Sequence, residues 1–239
     1  MNAKELFRAG KLDEALQALT AEVRSHPADQ QARTFLFELL CFAGEFDRAE
    51  KQLDVAVQGD GKAEMGALVY RAALNAEKTR QDTFLKKQYQ QSGAAIAPSP
   101  AGELNGKAFS SLSDADPRIG PRLEVFAAGD YMWIPFEHIA SIAIEPPARL
   151  RDMMWAPARV KAGPSFKGAE LGDVLLPSLG PFSWEYPDDS VRLGRATAWV
   201  EDENGETFPV GQKMLLVDGE EYPFLEVRKL EFAPSPAAP

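Results

Sequence analysis

Shifting the sequence by 34 residues superimposes Leu6 on Leu40, Ala9 on Ala43, Gly10 on Gly44, Asp13 on Asp47, Ala15 on Ala49, Leu19 on Leu53 and Val23 on Val57. In the order Gly10, Leu12, Ala15, Leu19, Pro27, glycine permits a turn between two helices, alanine lets them approach, and proline ends the second. Gly44, Phe46, Ala49 and Leu53 repeat that order. Thirty-four residues is the period of the tetratricopeptide repeat, a helical hairpin that buries its apolar face only by stacking on neighbours. The spacing of Met65, Leu68, Val69, Ala72 and Ala73 predicts a third helix from Lys62 to about Lys87. Lys78 and Thr83 stand where the next glycine and alanine would fall, so this helix caps the array.

Residues 92–106, rich in Gly, Pro, Ala and Ser, read as a linker. Beyond them the apolar period becomes two, with strands predicted at 123–127, 131–134, 139–145, 158–161, 173–176, 195–201, 213–217 and 224–230. Gly129-Asp130, Asn204-Gly205 and Asp218-Gly219 separate several of them, and Pro146-Pro147 opens a short helix at 148–154. The predicted class is α+β: a TPR-like helical domain over 1–91, the linker 92–106, and a small barrel or strongly curved sheet with a short capping helix over 107–239. Proteolysis is expected to cut the linker first and release two compact fragments.

The chain has 239 residues and a net charge of −10, which lacks the basic footprint of a nucleic-acid protein. The imbalance is uneven: residues 1–92 carry 13 basic and 14 acidic side chains, residues 93–239 carry 13 and 22. No apolar run is long enough to cross a bilayer, and the amphipathic start is unlike a signal sequence, so a bacterial-type cytoplasmic protein is expected. Cys41 cannot form an internal disulfide or a multi-cysteine zinc site, and no metal-ligand spacing occurs. His26 precedes Pro27 at a helix end and His138 lies in a turn, neither beside an evident nucleophile. The run 102–107 is one residue short of a phosphate loop, so no cofactor is expected.

Surface for binding remains. The first helix of each stacked hairpin lines the concave face, which places Lys4, Phe7 and Arg8, then Gln31, Thr34, Glu38, Cys41 and Phe42, around one groove, with Met65, Leu68 and Ala72 closing it. An apolar floor of Phe7, Cys41, Phe42 and Leu68 with polar edges suits an amphipathic helix; the same side chains could equally serve only to hold the short array together.

Residues 114–160 carry Asp114-Ala115-Asp116-Pro117-Arg118, Gly120-Pro121, Tyr131-Met132-Trp133-Ile134-Pro135-Phe136, Glu145-Pro146-Pro147, Leu150-Arg151-Asp152 and Trp155. In these motifs, in the repeats and in Leu175-Leu176-Pro177, the sequence resembles the ImpE family, also called TagJ or SciE-type; from about Phe182 onward the match is loose. The resemblance implies a helical repeat domain joined to a small β pseudo-barrel, and a non-enzymatic accessory protein of bacterial type VI secretion systems. It implies as partners the N-terminal helix of the small contractile-sheath subunit and the AAA+ ATPase ClpV; the net charge and the lack of a long apolar run give the expectation of no nucleic-acid and no membrane partner. The family signature also includes Pro135, Pro146, Pro147, Arg151 and Asp152; among its members, Trp133, Phe136 and Trp155 read either as barrel core or as exposed anchors. Asp116 with Arg118 reads as a loop-fixing pair or as part of such a surface. Two further readings stay open: an enzyme built on buried, convergent carboxylates, and a self-assembling structural subunit with an external apolar patch.

Overall fold

The computed structural model describes residues 1–58, 61–91, 99–166 and 171–233. The chain begins with four helices in two hairpins: α1 (Ala3–Arg8) with α2 (Leu12–Ser25), and α3 (Gln30–Phe42) with α4 (Phe46–Ala56). The Asn2 side chain accepts the Glu5 N–H while the Glu5 carboxylate accepts the Asn2 N–H, which starts α1 with a capping box. Gly10 and Gly44 have φ of 75° and 73°, and at each the chain closes the first helix in the same way. Lys11 and Gly10 donate to the Leu6 and Phe7 carbonyls, as Glu45 and Gly44 donate to those of Leu40 and Cys41. Ala15 and Ala49 are fully buried where the paired helices touch. The repeat of 34 residues is therefore a repeat of turn geometry and of close approach.

A fifth helix, α5 (Gly61–Leu85), follows. With no glycine at the third turn position, it runs straight through Lys78 for two more turns. Its second half packs against the β region.

That region holds, among the described residues, thirteen strands. They are β1 (Gly102–Leu104), β2 (Lys107–Phe109), β3 (Leu112–Asp114), β4 (Arg122–Ala127), β5 (Asp130–Pro135), β6 (Ile139–Ile144), β7 (Trp155–Ala162), β8 (Gly172–Pro177), β9 (Thr197–Glu201), β10 (Thr207–Gly211), β11 (Met214–Val217), β12 (Glu220–Pro223) and β13 (Lys229–Phe232). Eight form one antiparallel sheet in the order β2-β1-β13-β6-β7-β8-β4-β5; β12-β11-β3 and β10-β9 form two smaller sheets. The large sheet ends at β2 and β5 without pairing them, so it is an open sheet and not the closed barrel that the strand pattern suggested.

Strand alternation sorts the side chains between two cores. Leu123 and Val125 of β4, Ile134 of β5, Val160 of β7 and Leu176 of β8 face the β-region core with Leu215, Phe224 and Leu230. Phe126, Tyr131, Trp155 and Leu175 belong to the opposite set and join the helical core of Leu36, Phe37, Leu40, Phe42 and Leu74. One apolar core thus runs through both regions.

Three expectations change. Residues 102–104, assigned to the linker by composition, are β1, held between β2 and β13; residues 92–98 of that linker lie outside the described residues. The predicted strand 224–230 breaks into a 3₁₀ turn at Phe224–Glu226 and β13, and the predicted helix at 148–154 is a 3₁₀ turn, Leu150–Met153. That turn is closed by the Asp152 carboxylate, which accepts the N–H groups of Ala148 and Arg149 at 3.0 and 2.8 Å. No helix among the described residues is long and apolar enough to cross a membrane.

Candidate partner-binding surface

The first helices of the array, α1 and α3, share a face with α5, as the repeat register requires. Part of that face is covered by the chain itself. Glu38, in the third turn of α3, is buried and accepts from Arg151 at 2.8 Å, and the Arg151 guanidinium lies over the Tyr70 ring at 4.4 Å. Burial pushes the Glu38 carboxyl above its ordinary range, although Arg151 pulls the other way. Cys41 and Phe42 are 2% and 1% exposed, in one cluster with Met154, Trp155 and Leu179. Burial also pushes the Cys41 thiol well above its ordinary range. Ala72 faces the β4–β5 turn, where Asn75 donates to the Gly129 carbonyl at 3.1 Å. Glu38, Cys41 and Phe42 are therefore not an open floor, because the face the array could not bury by stacking a third full repeat is buried by the β region instead.

The remainder is open. Lys4, Arg8 and Gln31 are exposed, Phe7 and Thr34 half-buried. Met65 and Leu68, which occupy on α5 the repeat positions of Gln31 and Thr34, are 69% and 56% exposed, with Val69 beside them. Phe7 meets Phe35 edge-on at 5.7 Å. Lys4, Gln31 and Phe35 border an open cavity of about 280 Å³ between α1, α2 and α3.

Beneath the covered part lies an ionic network to which the sequence pattern gave no clue beyond a single acid in the apolar strand Arg122–Ala127. Arg80 of α5 donates to both oxygens of Glu124 at 2.7 and 3.0 Å, to Glu77 at 3.1 Å and to the Leu179 carbonyl at 3.0 Å. Lys213 reaches Glu124 at 2.5 Å and Asp114 at 2.6 Å, the Tyr131 hydroxyl donates to Glu124 at 2.6 Å, and the Trp155 indole donates to Glu77 at 3.1 Å. Every group in this network is almost completely buried, Tyr131 apart. Burial would raise Glu124, but Arg80 and Lys213 hold it down to about 2; burial prevails at Asp114, which is pushed up to about 6 against the pull of Lys213.

Two opposed pH effects follow. Asp114 binds its proton more tightly in the folded chain, so its contribution raises stability as pH falls from about 6 toward its unfolded value near 3.8. Glu124 contributes stability above its unfolded value near 4.5, and that contribution is lost as pH falls toward about 2. The urea midpoint is expected to be higher at pH 5 than at pH 7 and to fall steeply below pH 4. Asp114→Asn should flatten the slope between pH 5 and 7; an unchanged slope would assign it to other groups.

The signature residues serve this architecture. Asp116 chelates Arg118 with contacts of 2.6 to 3.1 Å, and the Arg118 guanidinium stacks on Phe208 at 3.6 Å. Trp133, half-buried, stacks on Tyr89 and lies against Phe84 at the end of α5. Phe136 is buried on Phe232, Trp155 is buried, Pro135 and Pro147 are half-buried and Pro146 is exposed. The carboxylates Asp114 and Glu38 do have raised pKa values, but each is bound by a cation, and the cavity beside Glu77 and Arg80, about 10 Å³, admits one water at most. The Ser165 hydroxyl lies 2.9 Å from His138 Nδ1 and 3.0 Å from the Glu137 carbonyl oxygen, both contacts at the surface. Among the described residues no cluster of three or more His, Cys, Asp or Glu could hold a metal ion.

The sequence profile of the ImpE protein family matches residues 106–231, just over half of the chain. The chain belongs to the ImpE family. Residues 6–72 of this ImpE chain match the tetratricopeptide repeat, in agreement with the two glycine turns. It is 34% identical to the type VI secretion system accessory component TagJ of Pseudomonas aeruginosa, an alignment covering 99% of this chain and 93% of that protein. The crystal structure of protein VPA1032 from Vibrio parahaemolyticus has the same fold, with a TM-score of 0.83, 22% identity and 97% of each chain covered.

Proposed function

We propose that this ImpE chain is a non-enzymatic accessory protein of a bacterial type VI secretion system, binding the small contractile-sheath subunit through that subunit's N-terminal helix and assisting ClpV-dependent sheath disassembly in the cytoplasm. The observation that carries the reading is the similarity to TagJ along nearly the whole of both chains. The helical face supports the binding mode. Met65, Leu68 and Val69 lie at i, i+3 and i+4 on α5, an apolar stripe open to solvent, and Lys4 and Arg8 on α1 and Gln31 on α3 are exposed polar groups. An amphipathic helix seats its apolar side on such a stripe.

The site proposed is therefore the open part of the face, from Lys4 and Arg8 across Gln31 and Thr34 to Met65 and Leu68, and not Cys41, Phe42 or Phe7, whose ring lies under the Arg195 guanidinium. Leu68→Glu is expected to weaken capture of the purified small sheath subunit at least tenfold with an unchanged circular dichroism spectrum, because Leu68 supports no core. Full binding by both Leu68→Glu and Met65→Glu would move the site off this face. Failure of the unaltered protein to bind the sheath subunit would remove the functional reading itself.

A further inference from the structure

Between β8 and β9 the chain makes an irregular crossing that contains the 3₁₀ turn Ser183–Glu185 and the one-turn helix α6 (Asp189–Arg192). This crossing visits both inter-helix turns of the array. At Gly10, the Arg195 guanidinium spans the end of α1: one nitrogen donates to the Phe7 carbonyl at 2.7 Å, another to the Arg8 carbonyl at 3.2 Å, and the plane covers the Phe7 ring at 4.7 Å. At Gly44, the Trp184 ring lies so close that a Cβ there would stand 2.6 Å from it, and the indole meets Phe46 edge-on at 5.3 Å. Two side chains of one segment thus rest on two glycines 34 residues apart.

The same segment closes the other half of the first turn. Lys11, which precedes α2, makes no capping bond with its own side chain; the Leu12 N–H is taken by the Asp189 carboxylate at 2.7 Å. Arg192 bonds Asp189 at 2.7 Å and reaches Asp13 in the first turn of α2 at 3.0 Å. A cation therefore sits on the carbonyl end of α1 and an anion on the amide end of α2, each complementing the partial charge of the helix end it touches.

We propose that residues 179–195 are a clamp that holds the first hairpin at its proper distance from the second. The clamp grips the first turn by exchangeable polar contacts to backbone, whereas it meets the second through the apolar face of Trp184. The first hairpin is thus the part of the array whose closure depends on the clamp. Lys4 and Arg8 ride on that hairpin, so the clamp sets where they stand relative to Gln31 and Thr34; this consequence rests on the binding face proposed above, and the clamp does not.

Hydrogen exchange of the full chain, read by mass spectrometry, tests it. Asp189→Asn keeps the shape of the cap but removes its charge, and Arg195→Lys keeps the charge but loses the fork that spans two carbonyls. Each is expected to speed exchange in peptides from residues 3–25 several-fold, and the double variant about tenfold or more, with residues 30–56 and the β strands unchanged. Arg159→Lys, in an exposed pair with Asp173 on the sheet, serves as the control and should leave residues 3–25 as they were. Unchanged exchange in residues 3–25, or an equal loss of protection along the entire chain, would overturn the clamp.

Discussion

Glu124→Gln is expected to destabilise the chain by about 3–5 kcal/mol, the range for removing one member of a buried ion group and leaving its partners unpaired. For a protein of this size that is a fall in melting temperature of roughly 6–20 °C. The reason is the company Glu124 keeps: Arg80, Lys213 and the Tyr131 hydroxyl all point at its two oxygens, and its side chain is fully buried. Glutamine keeps the volume and supplies one acceptor, but it leaves two buried cations with less negative charge than they need. The triple variant Glu77→Gln, Arg80→Met, Glu124→Leu removes the cation together with both acids that hold it and leaves Lys213 paired with Asp114. It should lose less stability than Glu124→Gln alone, since apolar groups of similar volume replace a buried ion pair at little cost. Thermal melts of the three proteins decide the matter; a loss under about 1 kcal/mol for Glu124→Gln would mean that the network is solvated.

The helical and β regions are expected to unfold in one transition. Circular dichroism reports the helices, and tryptophan fluorescence reports the β region and its contacts with them, because Trp133, Trp155, Trp184 and Trp199 all lie in that region and the first three pack against helical residues. The two curves should superimpose in urea, which is the test of a single cooperative unit. Residues 1–91 expressed alone should show no cooperative melt: Cys41 and Phe42 would meet water, and Glu77 and Arg80 would lose Trp155 and Glu124. Two separate transitions, or a folded 1–91 fragment, would restore the picture of separable domains that the linker composition suggested.

Much of this was legible in the residues. The 34-residue register of Gly10 with Gly44 and Ala15 with Ala49 is local: each hairpin needs a left-handed turn and a close approach, and only certain residues supply them. The strands at 123–127, 131–134 and 139–145 were equally visible, since alternation is a property of neighbouring positions. The resemblance carried by the motifs from Asp114 to Trp155 led to the ImpE family, which the comparisons show.

The candidate site was legible only in part, and for a definite reason. Helical spacing says which side chains share a face, and it placed Lys4, Gln31, Met65 and Glu38 together; it cannot say what lies against that face. Arg151, 113 residues along the chain from Glu38, supplies the answer, and no local pattern connects them. The charged residues Arg80, Glu124 and Lys213 read as ordinary surface groups one at a time. They are core because three elements distant in sequence converge and bury them together. Sequence by itself determined the repeat, its two turns and the alternating strands, because these depend on interactions within a few residues. Tertiary structure alone decided that the sheet stays open, that one core serves both regions and that part of the helical face is already taken, because each of those outcomes depends on which surfaces, far apart in the chain, exclude water from one another.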